Sequence, residues 1–308
     1  MEYELEQPPG PSDPWSRWLL HRRHGGDPHY EQVVRVLVDA IRDRVLDGAK
    51  CSAGQALVDV GAGDGLITFG AFDRVGSSLQ AVLTDISAPL LERAEQRAIE
   101  RGLRDRCSFV KTSAEDLAGV ADQSADVVTC RAVLAYVADK KKALQQFYRV
   151  LKPGGRISVG EPINRDDAMN LAALTRYLDA QPRDEANAPA RLYQRWRSAQ
   201  LPSTKEEILS NPVTNFTERD LLRLCRLVGF HQIHLELHID DRELSIESWE
   251  VFMNVAPRPN TPTLREVLET AFSSEERHPF EIKLRQLFDS GFFRESDVVA
   301  YVTAVKPA

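Results

Sequence analysis

The chain has 308 residues, of which 43 % are hydrophobic and 28 % are charged; this composition is typical of a globular protein and excludes a disordered or collagen-like chain. The net charge of −7 predicts no general attraction to nucleic acid. No apolar stretch reaches the ~20 residues that a membrane helix needs, and the acidic start is unlike a secretory signal. The four scattered cysteines predict neither a disulfide framework nor a zinc site, so we expect a reduced, cytoplasmic protein.

The first half of the chain alternates between strand and helix patterns. A proline-rich arm at residues 1–14 precedes a helical pattern from Tyr30 to Leu46, which we expect to end at Gly48. Short apolar strands are then predicted at 56–60, 81–84, 108–111, 126–130 and 156–160, with helical patterns at 65–75, 88–101, 114–119 and 138–151. This alternation is typical of βαβ units, and it predicts an α/β, Rossmann-like fold with helices on both faces of a mostly parallel sheet.

The alternation stops after the fifth strand. Residues 163–215 show helices and loops without a strand, which predicts a helical lid. A capping box at Thr217–Asp220 starts a helix, strands are predicted at 231–239 and 298–305, Trp249–Val255 is a further candidate strand, and 262–290 reads as helical. We expect four regions: an N-terminal arm and helix at 1–50, the core at 51–162, the lid at 163–215, and a C-terminal region at 216–308 that completes a seven-stranded sheet and carries a helical insertion.

The strongest local signal is the segment Leu57-Val-Asp-Val-Gly-Ala-Gly-Asp-Gly65, in which three glycines follow a strand and open a helix. Asp85 lies at the end of the next strand, where an acid accepts hydrogen bonds from ribose hydroxyls in this architecture. The alternative is a ligand-free turn with Asp85 as a helix cap. Leu66 stands where the dinucleotide fingerprint needs a third glycine, and no phosphate-binding Gly-Lys-Ser/Thr follows. Asp59, before the first glycine, suits a ligand with a positive charge.

Five segments resemble, in order, the motifs of the class I methyltransferases that use S-adenosylmethionine. They span about residues 56–161: the glycine loop from Asp59 to Gly65, the acid Asp85, Thr112-Ser-Ala-Glu-Asp-Leu117, Asp126-Val-Val-Thr-Cys-Arg131 and Arg149-Val-Leu-Lys-Pro-Gly-Gly-Arg156. The resemblance implies a methyltransferase with S-adenosylmethionine as cofactor, S-adenosylhomocysteine as product and no metal.

The resemblance also implies the cofactor-binding residues. They are Asp59, Gly61, Ala62, Gly63, Gly65, Asp85, Ile86, Ser113, Ala114, Glu115 and Arg131. Asp59 is expected to help hold the cofactor's ammonium group through the loop backbone or water, Asp85 to accept both ribose hydroxyls, and Glu115 to meet the adenine edge. Arg131 is expected to close the pocket beside the sulfonium.

The acceptor site is expected beyond the fourth and fifth strands, because ligands of open parallel sheets lie outside the carboxyl ends of the strands. The predicted catalytic residues are Glu161, Tyr136 and Arg131. Glu161 is interpreted either as a base or ammonium clamp, or as an acid paired with a neighbouring arginine. The predicted substrate residues are Asn164, Tyr177, Arg191, Tyr193, Arg195 and Trp196.

Two segments are candidate lids over the acceptor. The arginines and aromatic residues of 191–197 suit a carboxylate-bearing acceptor, although they also fit an amphipathic helix with a solvated basic face. The segment Trp15–Gly26, with two tryptophans, either covers the cofactor or pins the arm to the core.

The predicted acceptor is a small, carboxylate-bearing, amino-acid-like metabolite such as the methionine thioether. The alternatives are an O- or N-methyltransferase of secondary metabolism and a non-catalytic cofactor-binding module; the intact glycine loop and ribose acid favour an enzyme. Nucleic acid is disfavoured because the turn Thr129-Cys-Arg-Ala-Val133 has neither the Pro-Pro-aromatic pattern of base-amine methylation nor a Pro-Cys nucleophile. We predict no membrane partner, and homo-oligomerisation stays open.

Overall fold

The computed structural model of the protein describes residues 13–308, so most of the predicted arm at 1–14 lies outside the described residues. The strands are β1 (Ala56–Val60), β2 (Gln80–Asp85), β3 (Cys107–Lys111), β4 (Ala125–Arg131), β5 (Leu151–Pro162), β6 (His231–Glu243) and β7 (Arg294–Val305). The helices are α1 (Pro14–Leu20), α2 (Pro28–Ala49), α3 (Leu66–Val75), α4 (Ala88–Glu100), α5 (Lys140–Val150), α6 (Arg165–Asp179), α7 (Ala188–Ser198), α8 (Lys205–Ser210), α9 (Glu218–Val228), α10 (Trp249–Asn254), α11 (Leu264–Ala271) and α12 (Ser274–Asp289). None of these helices is long and apolar enough to cross a bilayer.

The seven strands form one sheet in the order β3-β2-β1-β4-β5-β7-β6. The first five are parallel, and β7 runs antiparallel to both β5 and β6. The predicted seven-stranded, mostly parallel sheet is therefore confirmed. The chain crosses from β3 back to β4 beside β1, and this reversal of strand order opens a crevice at the carboxyl ends, where ligands bind in such sheets.

Helices cover both faces of the sheet, because its central strands are apolar on both sides. Leu57 and Val58 point to opposite faces, and only 1 % and 2 % of their surfaces are exposed. One face packs against α2, α3 and α4. The other packs against α5 and α9. The sheet is thus the middle layer of three, and its carboxyl edge is free to carry a site.

The helices after β5 form two further apolar clusters. Trp196 of α7 packs with Met253 of α10, Leu264 of α11 and Phe280 of α12. Ala168 and Leu171 of α6 pack with Ile208 of α8 in a smaller cluster. Region 163–215 is helical, as the sequence predicts, but α7 buries its aromatic face against the C-terminal helical insertion.

The helix predicted at Tyr30–Leu46 is longer than expected. It runs from Pro28 to Ala49 and ends at Lys50, whose backbone is left-handed with φ 50°. Gly48 does not end the helix but lies inside it. A Cβ at Gly48 would come within 2.6 Å of Ser158 Oγ and Thr303 Cγ2, so the glycine allows α2 to lie close against the sheet.

Two short patterns were assigned the wrong secondary structure. The candidate strand Trp249–Val255 is the helix α10, whose first turn is capped by Ser248 accepting a hydrogen bond from Val251 N–H. The pattern at 114–119 forms a turn instead of a helix. Short apolar runs do not distinguish a strand from a buried helix, because too few residues define the period.

Candidate active site

A cavity of about 530 Å³ lies at the carboxyl ends of β1 to β4, within the range of about 300–1,000 Å³ that is usual for small-molecule sites. Nine of the predicted cofactor residues line it: Gly61, Ala62, Gly63, Asp85, Ile86, Ser113, Ala114, Glu115 and Arg131. The predicted catalytic residue Tyr136 also lines it. The other two predicted cofactor residues, Asp59 and Gly65, are buried behind the wall.

The glycine loop passes so close to the turn after β4 that only glycine fits at its start. The backbone of Gly61 is left-handed, with φ 65°, and a Cβ there would lie 2.1 Å from Val133 Cγ2. Ala62 N–H donates to Thr84 O at 2.9 Å, and this bond holds the loop against the end of β2. The loop backbone therefore forms part of the cavity floor.

Asp85 lies at the end of β2 with its carboxylate held in place by backbone. Gly63 N–H donates to Oδ2 at 2.8 Å, and Ser87 N–H donates to Oδ1 at 2.9 Å. Burial raises the pKa of Asp85, while these hydrogen bonds oppose the shift. Each carboxylate oxygen keeps a free lone pair, because one oxygen accepts more than one hydrogen bond. The Asp85 side chain is thus fixed to the glycine loop and can still accept hydrogen bonds from hydroxyl groups.

Asp59 does not reach the cavity, so a role at the cofactor's ammonium group would act through the loop backbone, one of the two routes that the sequence predicts. Its Oδ2 accepts from Thr68 Oγ1 at 2.7 Å and from Thr68 N–H at 3.2 Å, and its Oδ1 accepts from Thr129 Oγ1 at 2.9 Å. These bonds tie β1 to the first turn of α3 and to β4. Burial raises the pKa of Asp59 to about 6, with the hydrogen bonds opposing it. Asp59 therefore supports the glycine loop from below.

The variant Asp59→Asn is expected to remove one source of pH-dependent instability. Because the pKa of Asp59 is raised on folding, the native state loses stability as pH rises from about 4 through about 6, in total by about 3 kcal/mol for a shift of about two pKa units. Urea unfolding of both proteins at pH 4 and pH 7 measures this change in the difference between them. Asp126→Asn is the control, because the pKa of Asp126 is lowered and its effect has the opposite sign. A difference between wild type and Asp59→Asn that stays constant with pH would contradict the prediction.

The turn after β3 presents the predicted adenine residues to the cavity. Thr112 N–H donates to Asp85 O at 3.0 Å, which places Ser113, Ala114 and Glu115 next to Asp85. Glu115 Oε1 accepts from Asp139 N–H at 2.8 Å and so ties this turn to the start of α5. Glu115 lines the cavity while this bond holds its side chain.

Glu161 lies beneath the cavity wall. The structure therefore supports neither its interpretation as a base or ammonium clamp nor its interpretation as an acid paired with an arginine. Its side chain is fully buried; Oε1 accepts from Val133 N–H and Oε2 from Ala135 N–H, both at 3.0 Å. Burial raises its pKa, and these backbone bonds oppose the shift. Glu161 holds the turn after β4, which carries Val133 and Tyr136 into the cavity wall.

The six predicted substrate residues lie elsewhere; none of them is among the described residues that line this cavity. Arg191 donates to the carbonyl oxygens of Leu178 and Gln181 at the end of α6. Arg195 pairs with Glu276, and Trp196 is buried in the cluster shared with α10 to α12. Tyr177 is mostly exposed, Tyr193 packs edge-on against Trp196, and Asn164 precedes α6 without capping it through its side chain. The arginines of α7 thus serve helix packing in this structure.

The wall opposite the sheet comes from the N-terminal segment, the second lid candidate. Trp15, Trp18, His21, Arg23 and His24 all line the cavity. Leu19 lies directly over the glycine loop, since its Cδ2 is 3.4 Å from where a Cβ of Gly63 would be.

Contacts with two other regions hold this segment in place. Trp18 Nε1 donates to Ala256 O at 2.9 Å, next to α10. Ser87 Oγ donates to Asp13 Oδ2 at 2.6 Å, which joins the start of α1 to the loop that carries Asp85. The segment therefore bridges the core and the C-terminal helices over the cavity.

Sequence reasoning missed cavity residues on two helices. Val34, Arg35 and Val38 of α2 and Arg93 and Arg97 of α4 face the cavity. Arg97 Nη1 pairs with Asp64 Oδ2 of the glycine loop at 2.7 Å. The spacing of Arg93 and Arg97 by four residues places them on one side of a helix, and this was the available signal.

Comparisons with known proteins agree with this fold. Residues 52–210, more than half of the chain, match a family model described as a methyltransferase domain. A ubiquinone/menaquinone biosynthesis C-methyltransferase from a Bradyrhizobium strain is 40 % identical over 111 residues, which cover 36 % of this chain and 44 % of that protein. The tRNA 5-carboxymethoxyuridine methyltransferase of Escherichia coli is 34 % identical over 103 residues, which cover 33 % of this chain and 38 % of that protein. The matched part is thus less than half of the length of these relatives.

A solved structure shares the fold. The YcgJ protein of Bacillus subtilis superposes with a TM-score of 0.56 at 18 % identity, and the match covers 87 % of this chain and 99 % of that one. The family match covers the glycine loop, Asp85 and the turn after β4. On these grounds the chain belongs to the class I family of S-adenosylmethionine-dependent methyltransferases, as its motifs predicted.

Proposed function

We propose that the protein transfers a methyl group from S-adenosylmethionine to a small-molecule acceptor. The observation that carries the proposal is one cavity in which the glycine loop, Asp85 and the turn after β3 face Arg131 and Tyr136. The predicted cofactor-binding residues thus line the same cavity as two of the predicted catalytic residues, as a site that holds both a cofactor and an acceptor requires.

The cofactor, when bound, supplies an activated methyl group on a sulfonium, so the main work of the protein is to position the two reactants about 3–3.5 Å apart. Asp85 accepts hydrogen bonds from ribose hydroxyls, and the backbone of Gly61 and Gly63 allows the loop to pass under the methionine part. Trp15 packs edge-on against Tyr136 with ring centroids 5.0 Å apart, and this pair excludes water from the acceptor side.

The acceptor that we propose is a small, carboxylate-bearing, amino-acid-like metabolite, with O- or N-methylation of another metabolite as the alternative. The N-terminal segment favours a small molecule, because it covers the cavity and leaves less room for a polymer. A net charge of −7 also disfavours tRNA, the acceptor named for the E. coli relative. We also propose a reducing, cytoplasmic environment, on the scattered positions of the four cysteines in the sequence. We propose that no metal takes part.

Calorimetric titration with S-adenosylmethionine and S-adenosylhomocysteine tests the cofactor first. Methyl-labelled S-adenosylmethionine is then incubated with a fractionated metabolite extract and, separately, with bulk tRNA. We expect cofactor binding and label in a small-molecule fraction. Label in tRNA would overturn the small-molecule proposal, binding without any transfer would favour the non-catalytic module, and no binding of either compound would refute the function.

A further inference from the structure

Two partly buried arginines reach the cavity without a partner for their charge; Arg35 and Arg93, which also line it without one, are exposed. Arg131 lies at the carboxyl end of β4, and Arg23 lies in the 3-10 turn Arg22–His24 of the N-terminal segment. Within residues 13–308, neither guanidinium makes a hydrogen bond or an ion pair. The adjacent Arg22 behaves differently, since it pairs with Glu266 on α11. Arg22 thus holds the N-terminal segment in place, whereas Arg23 lines the cavity.

The two guanidinium groups are close enough to repel each other. Burial and, to a smaller extent, the charge of Arg131 together lower the pKa of Arg23 to about 10, and Asp64 opposes the shift. Both groups remain cationic at neutral pH, so two like charges share a partly buried wall at an electrostatic cost. The nearest acids make no ion pair with either arginine: Asp64 pairs with Arg97, and Glu161 accepts from backbone N–H groups, so their charges offset the repulsion only from a distance. A bound anion would relieve this repulsion.

The position of the pair along the sheet edge favours the acceptor over the cofactor. The strand order places Glu115 after β3, Asp85 after β2 and the glycine loop after β1. Adenine, ribose and methionine would therefore follow one another from β3 to β1. Arg131 follows the next strand, β4, on the far side of the methionine part. The guanidinium carbon of Arg23 lies 5.3 Å from the centroid of the Trp18 ring, so the guanidinium packs on an apolar surface.

We propose that Arg23 and Arg131 form a carboxylate-binding subsite that holds the acceptor's carboxylate and selects small carboxylic acids as acceptors. The planar fork of a guanidinium matches the two oxygens of a carboxylate, and a partly water-excluded wall strengthens such bonds. This inference rests on the proposed methyl transfer. It moves anion recognition from α7, where the sequence predicts it, to the N-terminal segment and the end of β4.

The first test separates the acceptor from the cofactor, which carries a carboxylate of its own. Calorimetry compares S-adenosylhomocysteine with 5′-methylthioadenosine, which lacks that carboxylate, in the wild type, Arg23→Gln and Arg131→Gln. We expect the affinity for both compounds to change by less than about threefold, which also shows that the variants fold. A selective loss of S-adenosylhomocysteine affinity would assign the arginines to the cofactor and overturn the proposal.

The second test uses the metabolite extract as the acceptor source, either untreated or with its carboxyl groups converted to amides by carbodiimide and ammonia. We expect labelled product from the untreated extract and at least a tenfold loss after amidation, with little loss after phosphatase treatment. For the acceptor fraction that supports turnover, Arg23→Gln and Arg131→Gln should raise the concentration needed for half-maximal rate by about 10- to 100-fold. The control Arg219→Gln, an exposed position on α9, should match the wild type.

The outcomes keep the two proposals apart. Turnover that survives amidation, or that phosphatase abolishes, would overturn the carboxylate subsite and leave the methyltransferase function standing. Unchanged acceptor affinity in both variants would do the same. An absence of methyl transfer to either extract would refute the function and this inference with it.

Discussion

Replacing Asp85 with alanine is expected to weaken the binding of S-adenosylhomocysteine by about 100- to 1,000-fold. Two hydrogen bonds from ribose hydroxyls to a carboxylate contribute about 1.5–2 kcal/mol each, so their loss accounts for a change of that size. The variant also removes the acceptor of Gly63 N–H, a bond of 2.8 Å that shapes the glycine loop. Since burial raises the pKa of Asp85, affinity in the wild type should fall as the carboxylate is protonated at low pH.

Calorimetric titration measures this loss of affinity, and two further variants show its cause. Asp85→Asn keeps one carbonyl oxygen and should lose less affinity than Asp85→Ala. Asp126→Ala is the matched control: Asp126 also accepts a backbone bond, from Ala56 N–H at 2.8 Å, but it lies at the amino end of the sheet. It should leave the affinity unchanged. Equal affinities in Asp85→Ala and the wild type would exclude Asp85 from the cofactor site.

Replacing Glu161 with alanine is expected to lower the free energy of unfolding by about 3–5 kcal/mol, because the N–H groups of Val133 and Ala135 would each lose their acceptor in or near the core. Glu161→Gln keeps one acceptor oxygen and should cost about half as much. Turnover should fall more than cofactor affinity in Glu161→Ala, since the turn that it holds carries Val133 and Tyr136 and the ribose acid lies elsewhere.

Urea unfolding measures the first effect, and Glu207→Ala is its control. Glu207 also accepts two backbone hydrogen bonds, from Ser203 and Thr204, but it does so at the exposed start of α8, where water replaces the lost acceptor. It should cost about 1 kcal/mol or less. If Glu161→Ala were no more destabilising than Glu207→Ala, the buried bonds of Glu161 would not stabilise the fold as we argue.

The part of the cavity wall that the sequence predicts to bind the cofactor was recognisable because its features are local. The glycines at 61, 63 and 65 adopt left-handed backbone, which a glycine pattern after a strand indicates directly. Asp85 ends its strand two residues before a helix cap, so its place at the sheet edge follows from the strand pattern. Parallel strands that are buried on both faces also appear as continuous apolar runs, so the order of strands and helices could be derived.

The acceptor half depends on contacts between distant parts of the chain. Arg191 and Arg195 looked like carboxylate ligands, yet they bond to the end of α6 and to Glu276 on α12. Glu161 lies on β5, one of the two strands beyond which the acceptor site was expected. Its side chain, however, lies beneath the cavity wall, where it accepts hydrogen bonds from the backbone N–H groups of Val133 and Ala135.

The sequence by itself determined the fold class, the succession of strands and helices along the parallel part of the sheet, and the glycine loop with its acid, because strand periodicity and glycine conformation act over a few residues. Tertiary structure alone decided that Arg23 and Arg131 line the same cavity and that α7 packs against the C-terminal helices. Both arrangements bring together residues more than fifty positions apart in the sequence. They depend on the burial of apolar surface, such as that of Trp18 and Trp196, and no local sequence pattern indicates them.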